Sequence, residues 1–324
     1  MEKFNTLMII ISAIALFVYG LQSFSKEIEN LGAARLKKWV QTITRIPLGG
    51  FLLGGGITAI IQSSTLVSSL TVSLVDTGIL SFRESLLILL GTNVGTTSTG
   101  WIVTFQSDML GPIFIVLGTF ISMIPSKLAT AGKSIFYFGF IFFSLAMISA
   151  SMEPLKSDPM LVDILSKASN PFLGILYGIL ITVIIQSSSV VVGLVIVLIS
   201  QGVLTLDAAI PIVVGANIGT TSTALLVSMK LSPLSKLTAL AASSFNVIGV
   251  IILLPFFPLL ENWVIQVTDT PEIQVALAFT IANTFTSVFF LLFLNPTIRL
   301  LQKHRWYKES FLQKQPLGAN NTIA

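Results

Sequence analysis

Gln62-Ser63-Ser64-Thr65 interrupts an apolar run that begins at Pro47, and Gly91-Thr92-Asn93-Val94-Gly95-Thr96-Thr97-Ser98-Thr99 follows it. Both return as Gln186-Ser187-Ser188-Ser189 and Gly215-Ala216-Asn217-Ile218-Gly219-Thr220-Thr221-Ser222-Thr223. Gln62 to Gln186 and Asn93 to Asn217 are the same shift of 124. No gap is needed between Pro47/Pro171 and Thr99/Thr223, and 24 of these 53 aligned positions are identical. Glu29 and Leu31 extend the match outward to Glu153 and Leu155. Hydroxyl-rich motifs duplicated inside strongly apolar sequence are the pattern of a central site in a membrane transporter.

The 324 residues are 53% hydrophobic and 10% charged, with a mean hydropathy of +0.91. A soluble domain carries about 25% charged residues, so this chain cannot cover a water-facing surface. The net charge of +4 therefore speaks to topology rather than to nucleic acid. Cysteine is absent and the single histidine, His304, follows the last apolar run, which leaves no thiolate and no inward-facing imidazole. The start has an apolar run with a neutral Glu2-Lys3 before it and reads as an uncleaved first helix.

Apolar runs lie near 6–25, 47–76, 85–105, 110–125, 133–151, 171–200, 208–229, 236–258 and 273–295. Lys26, Arg35, Lys37, Lys38 and Arg45, with Trp39, mark residues 26–46 as an interfacial amphipathic helix on the cytoplasmic side. Lys127 and Lys133, Lys230 and Lys236, and the tail with Lys303, Arg305, Lys308 and Lys314 join it there; the last stretch is expected to be disordered. Loops with Asp108, with Glu153, Asp158 and Asp163, and with Glu261, Asp269 and Glu272 are poorer in cations and fall outside. The parity closes if 47–76 and 171–200 are re-entrant hairpins with Gln62 and Gln186 near their tips. Two full crossings per run keep the same parity but would be short for a core of ~30 Å.

The expected fold is thus an all-α polytopic membrane protein with inverted repeats, each holding a re-entrant helical hairpin and a broken transmembrane helix. The first repeat spans 1–130 and the second 131–230. Two further transmembrane helices occupy 231–300 and a cytoplasmic basic tail 301–324, in a single functional unit. The N-terminus lies outside and the C-terminus inside the cell membrane.

Alone, Gln62-Ser63-Ser64-Thr65 would read as helix–helix glue, since Ser and Thr bond to their own i−4 carbonyls. Recurrence in register, at the point where a hairpin must break its helix, favours a substrate or ion site. In Gly-x-Asn-x-Gly-Thr-Thr the glycines permit unwinding, and hydroxyls with freed carbonyls suit a hard cation; the plain alternative is small-xxx-small packing. Gly49-Gly50 and Gly54-Gly55-Gly56 are expected to let the hairpin arms approach closely. Asn246 and Asn283, in apolar sequence, fit site lining and interhelical bonding equally. Asp76 reads as a cytoplasmic-interface carboxylate, Arg83 and Glu84 as an exposed pair, and Trp101 and Trp263 as interface anchors.

No Arg, Lys or His lies within the four motif segments. Desolvating an isolated anion would cost tens of kcal/mol, and helix dipoles of about 0.3–2 kcal/mol each do not offset that. If the ligand is an anion, a cation must bind with it.

The paired motifs, together with Leu16-Phe17-x-x-Gly20-Leu21, Ala33-x-Arg35-Leu36-Lys37-Lys38, Leu74-Val75-Asp76-x-Gly78-Ile79-Leu80-Ser81 and Phe245-Asn246, resemble the type II sodium–phosphate cotransporters, over residues ~7–295. The resemblance implies Na⁺-driven symport of inorganic phosphate by alternating access, with Na⁺ the co-transported ion and no enzymatic activity. It places Gln62 to Thr65 and Gln186 to Ser189 on the family's hairpin motifs. Asn93, Thr96, Thr97, Asn217, Thr220 and Thr221 fall on its unwound motifs. By residue chemistry phosphate goes to Ser63, Ser64, Thr65, Ser187, Ser188 and Ser189. Na⁺ goes to Gln62, Gln186, Asn93, Thr96, Thr97, Asn217, Thr220 and Thr221, with Asn246 and Asn283 lining. Thr65 against Ser189, Thr92 against Ala216, and the stretch Ala278–Asn283 depart from the pattern. The expected partners are phosphate, Na⁺ and the lipid bilayer, with room for a homodimer. The competing readings are another small anion such as sulfate or a dicarboxylate, phosphate export, and an ion channel on the same repeats.

Overall fold

The computed structural model describes residues 2–43, 46, 48–105, 107, 109–125, 128–152, 156 and 158–312. Among them the chain is helical, with no strand. In chain order the α-helices are α1 (Glu2–Ile43), α2 (Gly49–Ile61), α3 (Ser64–Asp76), α4 (Phe82–Thr96), α5 (Ser98–Thr104), α6 (Leu110–Ser122), α7 (Leu128–Ser151) and α8 (Pro159–Ser166). They continue as α9 (Pro171–Ile185), α10 (Ser188–Ser200), α11 (Leu206–Ser228), α12 (Pro233–Leu253), α13 (Phe257–Val267), α14 (Pro271–Leu292), α15 (Leu294–Leu301) and α16 (Arg305–Leu312). Among the described residues six stretches are long and apolar enough to cross a membrane, and the bent pair Pro159–Ser169 with Pro171–Ile185, at 112°, makes a seventh if counted as one span.

Local chemistry sets the boundaries. Pro159, Pro171, Pro233 and Pro271 open their helices at the position where a missing N–H costs nothing. Asp158 and Asn170 cap α8 and α9 with side-chain oxygens. Ser81 and Glu84 close a capping box on α4, so Glu84 serves the helix start rather than a pair with Arg83. Asp76 likewise has a structural partner, accepting from the backbone N–H of Ser232 at 2.7 Å.

The duplicated segments each contain two short helices. α2 and α3 have 13 residues apiece, α9 has 15 and α10 has 13. At 1.5 Å per residue each is about 20 Å long, less than a ~30 Å hydrocarbon core. The first helix of each pair lies against the long helix that follows the pair. A Cβ on Gly54 would run into the carbonyl oxygen of Ile88, and one on Gly91 into that of Phe51. The second copy repeats this, with Gly178 against Ile212 and Gly215 against Ile175. Backbones this close are how helices associate where no hydrophobic force separates protein from lipid.

That packing corrects one expectation. The Gly-x-Asn-x-Gly motifs do not unwind: Gly91 to Thr96 are helical in α4, and α11 runs unbroken through Asn217, Thr220 and Thr221. Only Thr97 interrupts the first copy. The glycines are consumed by the crossings with α2 and α9, which demand a regular backbone there. Gly54 and Gly55 of the triple glycine face α4 rather than the other hairpin arm, Gly55 approaching the carbonyl of Gly91, while Gly56 meets open space.

Three further expectations change. α1 is one continuous 42-residue helix, so residues 26–46 do not begin a separate interfacial element. The acidic stretch after α7 contains the helix α8, whose Met160, Val162 and Ile164 are exposed. The run 110–125 forms only 13 helical residues in α6, clamped to α7 by Gly111, Gly118, Gly132 and Gly139. The side chains of Arg35, Lys37, Lys38 and Trp39, and Arg45, Pro47, Asp108, Lys127, Glu153 and the tail from 313 with Lys314, lie outside the described residues.

The core has its largest cluster around α10 and α11, where Phe17 of α1 is fully buried against Gly193. A second cluster joins α4, α12 and α14 through Leu90, Leu237 and the stacked rings of Phe245 and Phe290, 4.4 Å apart. The outside carries Leu52, Phe172, Ile184 and Leu292, each at least 70% exposed, a surface suited to hydrocarbon.

Candidate functional site

Both interruptions are made the same way. Gln62 (φ 60°, ψ 28°) and Gln186 (φ 58°, ψ 26°) are left-handed and end α2 and α9. Ser63 and Ser187 are extended and start α3 and α10, accepting from the N–H of Leu66 and Val190. Only three non-glycine residues among those described have positive φ, and two are these glutamines. A side chain in this region costs roughly 1–2 kcal/mol, a strain that clusters at functional sites.

The two tips touch. Thr65 donates to the carbonyl of Gln186 at 3.3 Å, and Thr99 of α5 lies 3.0 Å from Ser189 of the second tip, oxygen to oxygen. Around them is a cavity of about 380 Å³, lined by Gln62, Ser63, Ser64, Thr65 and Leu66 from one side and by Gln186, Ser187 and Ser189 from the other. The starts of α3 and α10 thus meet at one hollow, and their unpaired N–H groups and dipoles favour an anion there. Ser188 is not on its wall; its hydroxyl is buried without a partner, as are those of Thr58, Thr182 and Thr223.

The remaining wall comes from α1: Leu21, Gln22, Ser25, Lys26 and Glu29. A lysine at this cavity lies outside the four motif segments, so their lack of basic residues does not describe the site. The spacing 21, 22, 25, 26, 29 is one helix face, a signal present in the sequence; the basic residues that follow draw Lys26 into the reading of a separate interfacial helix instead.

Beside the tips is a much smaller cavity of about 20 Å³, room for about one water-sized particle. Ser64, Ser68, Thr92, Asn93, Asn217, Thr220, Thr221 and Asn246 supply its polar lining, with no charged group. Its asparagines form a chain across four helices. Asn93 donates to Asn246 at 2.6 Å, Asn246 to the carbonyl of Asn217 at 3.1 Å, Asn217 to Asn283, and Asn283 to the carbonyl of Phe279 at 2.8 Å. Asn246 therefore both lines and bonds, whereas Asn283 bonds without lining. Thr96 and Thr97 line neither cavity and donate back to carbonyls of α4, those of Thr92 and Val94. Thr221 adds a bond to Ser243 at 3.0 Å. Trp101 donates to Thr280 of α14 at 3.0 Å, which ties it into the bundle, while Trp263 is 46% exposed.

The copies are alike in backbone and unlike in side-chain bonding. Gln62 is buried, donating to Ser98 at 2.8 Å and accepting from Thr99 at 2.7 Å. Gln186 is exposed, and Thr223, the counterpart of Thr99, carries one of the unpartnered hydroxyls.

The family described as "Na+/Pi-cotransporter" matches residues 16–150 and 147–254 of this chain. It is 30% identical to the "Uncharacterized protein YqeW" of Bacillus subtilis (strain 168), over 91% of this chain and 98% of that protein. It is 28% identical to the "Putative inorganic phosphate export protein YjbB" of Escherichia coli (strain K12), over 91% of this chain but 55% of that protein, so it spans about half of YjbB. A 136-residue stretch, 38% of this chain and 20% of the relative, is 37% identical to the "Sodium-dependent phosphate transport protein 2B" of Homo sapiens. No solved structure matches.

Proposed function

Because the chain belongs to the Na+/Pi-cotransporter family, a family of membrane transporters rather than enzymes, we propose that it moves inorganic phosphate across the membrane in symport with Na⁺. The observation that carries this reading is the larger cavity at the two tips, where two helix starts and a ring of hydroxyls offer an oxyanion its hydrogen bonds. Ser63, Ser64, Thr65, Ser187 and Ser189 are the phosphate contacts in this conformation, with Ser188 entering when the second tip rearranges. Na⁺ takes the neutral oxygens of the small cavity, Asn93, Asn217, Thr220 and Thr221, with Asn246 beside them. Gln62 and Gln186, on the wall of the larger cavity, offer amide oxygens to Na⁺ beside the phosphate. Thr96, Thr97 and Asn283 support the helices that hold them.

In this reading α2–α3 and α9–α10 are re-entrant hairpins of two inverted repeats, over 1–130 and 131–230, that enter from opposite faces. The N-terminus is outside and the C-terminus cytoplasmic. Each net charge carried inward adds ~2.3 kcal/mol of drive per 100 mV, so the Na⁺ count decides how far phosphate is concentrated. Radiolabelled phosphate uptake into proteoliposomes tests the reading. Uptake that rises with an inward Na⁺ gradient supports it, and uptake indifferent to Na⁺ rejects it.

Export is the second reading, favoured by the name of the Escherichia coli relative, which aligns with 91% of this chain. Preloaded vesicles that lose phosphate against an inward Na⁺ gradient would establish it.

A further inference from the structure

The face of α1 that closes the larger cavity carries Lys26 and Glu29, the only charged side chains on its wall among the described residues. They are three residues apart, one turn of the same helix. Neither forms an ion pair with the other or with any described residue. Phe17, fully buried against Gly193 of α10, fixes the rotation of α1, since a Cβ at Gly193 would lie 2.7 Å from its ring. The same register sets Leu21, Gln22, Ser25, Lys26 and Glu29 toward the tips. The 124-residue repeat does not copy the lysine: position 150, its counterpart, is alanine. Among the described residues the positive charge is therefore present on one side of the site only.

We propose that Lys26 and Glu29 select the anion, the ammonium binding an oxyanion and the carboxylate accepting a hydrogen bond from its remaining P–OH, so that the cavity takes phosphate and rejects sulfate. This rests on the transport reading above and adds to it the residues that decide the substrate. The chemistry is that of unequal protonation. Phosphate keeps at least one hydroxyl across neutral pH and can donate it to a carboxylate, whereas sulfate has none to give. Against sulfate, Glu29 becomes a like charge facing the ligand with no proton between them. Discrimination between two tetrahedral anions of similar size then comes from the repulsive element rather than from shape. Lys26 supplies the full positive charge that hydroxyls and helix dipoles lack, and an ammonium is suited to this as a compact point charge.

The test is uptake of radiolabelled phosphate by the full chain in proteoliposomes, with sulfate as competitor, on protein shown to be monodisperse. Wild type should ignore sulfate at about a hundredfold excess. Glu29→Gln should bring sulfate into competition, improving its inhibition relative to the phosphate KM by about tenfold or more, while Glu29→Asp keeps the discrimination. Lys26→Gln should raise the phosphate KM by about tenfold and Lys26→Arg by much less, since the charge is kept. An unchanged sulfate-to-phosphate ratio in Glu29→Gln, or an unchanged KM in Lys26→Gln, overturns the proposal while leaving phosphate transport intact. Wild type that carries no phosphate under any Na⁺ gradient overturns the transport reading and this inference with it.

Discussion

Thr99 donates a hydrogen bond to Oε1 of Gln62 at 2.7 Å, and 124 residues later the hydroxyl of the equivalent Thr223 is buried with no partner while Gln186 is exposed. One glutamine is held and the other is released, although their backbones agree to within a few degrees.

Removing the held hydroxyl should cost more than removing the free one. Thr99→Val strands the buried Oε1 of Gln62 and loses the contact to Ser189, a loss of about 1–3 kcal/mol. Thr223→Val replaces an unpaired hydroxyl with a methyl of similar shape and should be neutral or slightly stabilising. Thermal unfolding in detergent measures both, and equal shifts would mean that the asymmetry carries no energy.

Ser64→Ala and Ser188→Ala should both depress phosphate uptake, by about tenfold or more if each loses a bond to a charged ligand worth about 1.5–3 kcal/mol. Ser188 has no hydrogen bond to lose in this conformation, so its variant should unfold at the wild-type temperature. Normal uptake in both variants would remove the tips from the mechanism.

Breaking the asparagine chain should affect the cation more than the anion. Asn246→Ala removes the acceptor for Asn93 and the donor to Asn217. A destabilisation of about 0.6–1.7 kcal/mol is expected for such interhelical bonds. The Na⁺ concentration at half-maximal uptake should rise by about tenfold, as for lost support around a metal ligand, with the phosphate KM at saturating Na⁺ little changed. A shift confined to phosphate would place Na⁺ elsewhere.

Gly54→Ala forces a methyl into the carbonyl of Ile88 and should cost roughly 1–3 kcal/mol or prevent assembly. Gly56→Ala meets open space and should stabilise by up to about 1 kcal/mol through helix propensity. Thermal stability of the two purified variants should differ in sign; matching behaviour would argue against the α2–α4 crossing.

Much of this protein follows from its sequence alone. The exact 124-residue register, the apolar runs, and the change from Gln to Ser at each tip are local or periodic signals. A serine able to cap the next helix acts over three or four residues, and hydropathy is set residue by residue, so both survive without knowledge of the fold. Tertiary structure decided the rest. Gly91 and Gly215 can equally unwind a helix or admit a neighbour, and only the crossings with α2 and α9 choose the second. The asparagine chain joins residues as far apart as Asn93 and Asn246, which no local pattern pairs. Lys26 lies well before either duplicated motif and reaches the cavity only because α1 continues unbroken past it, held in rotation by Phe17 against Gly193. The tips are therefore written in the chain, but what faces them is settled by long-range packing.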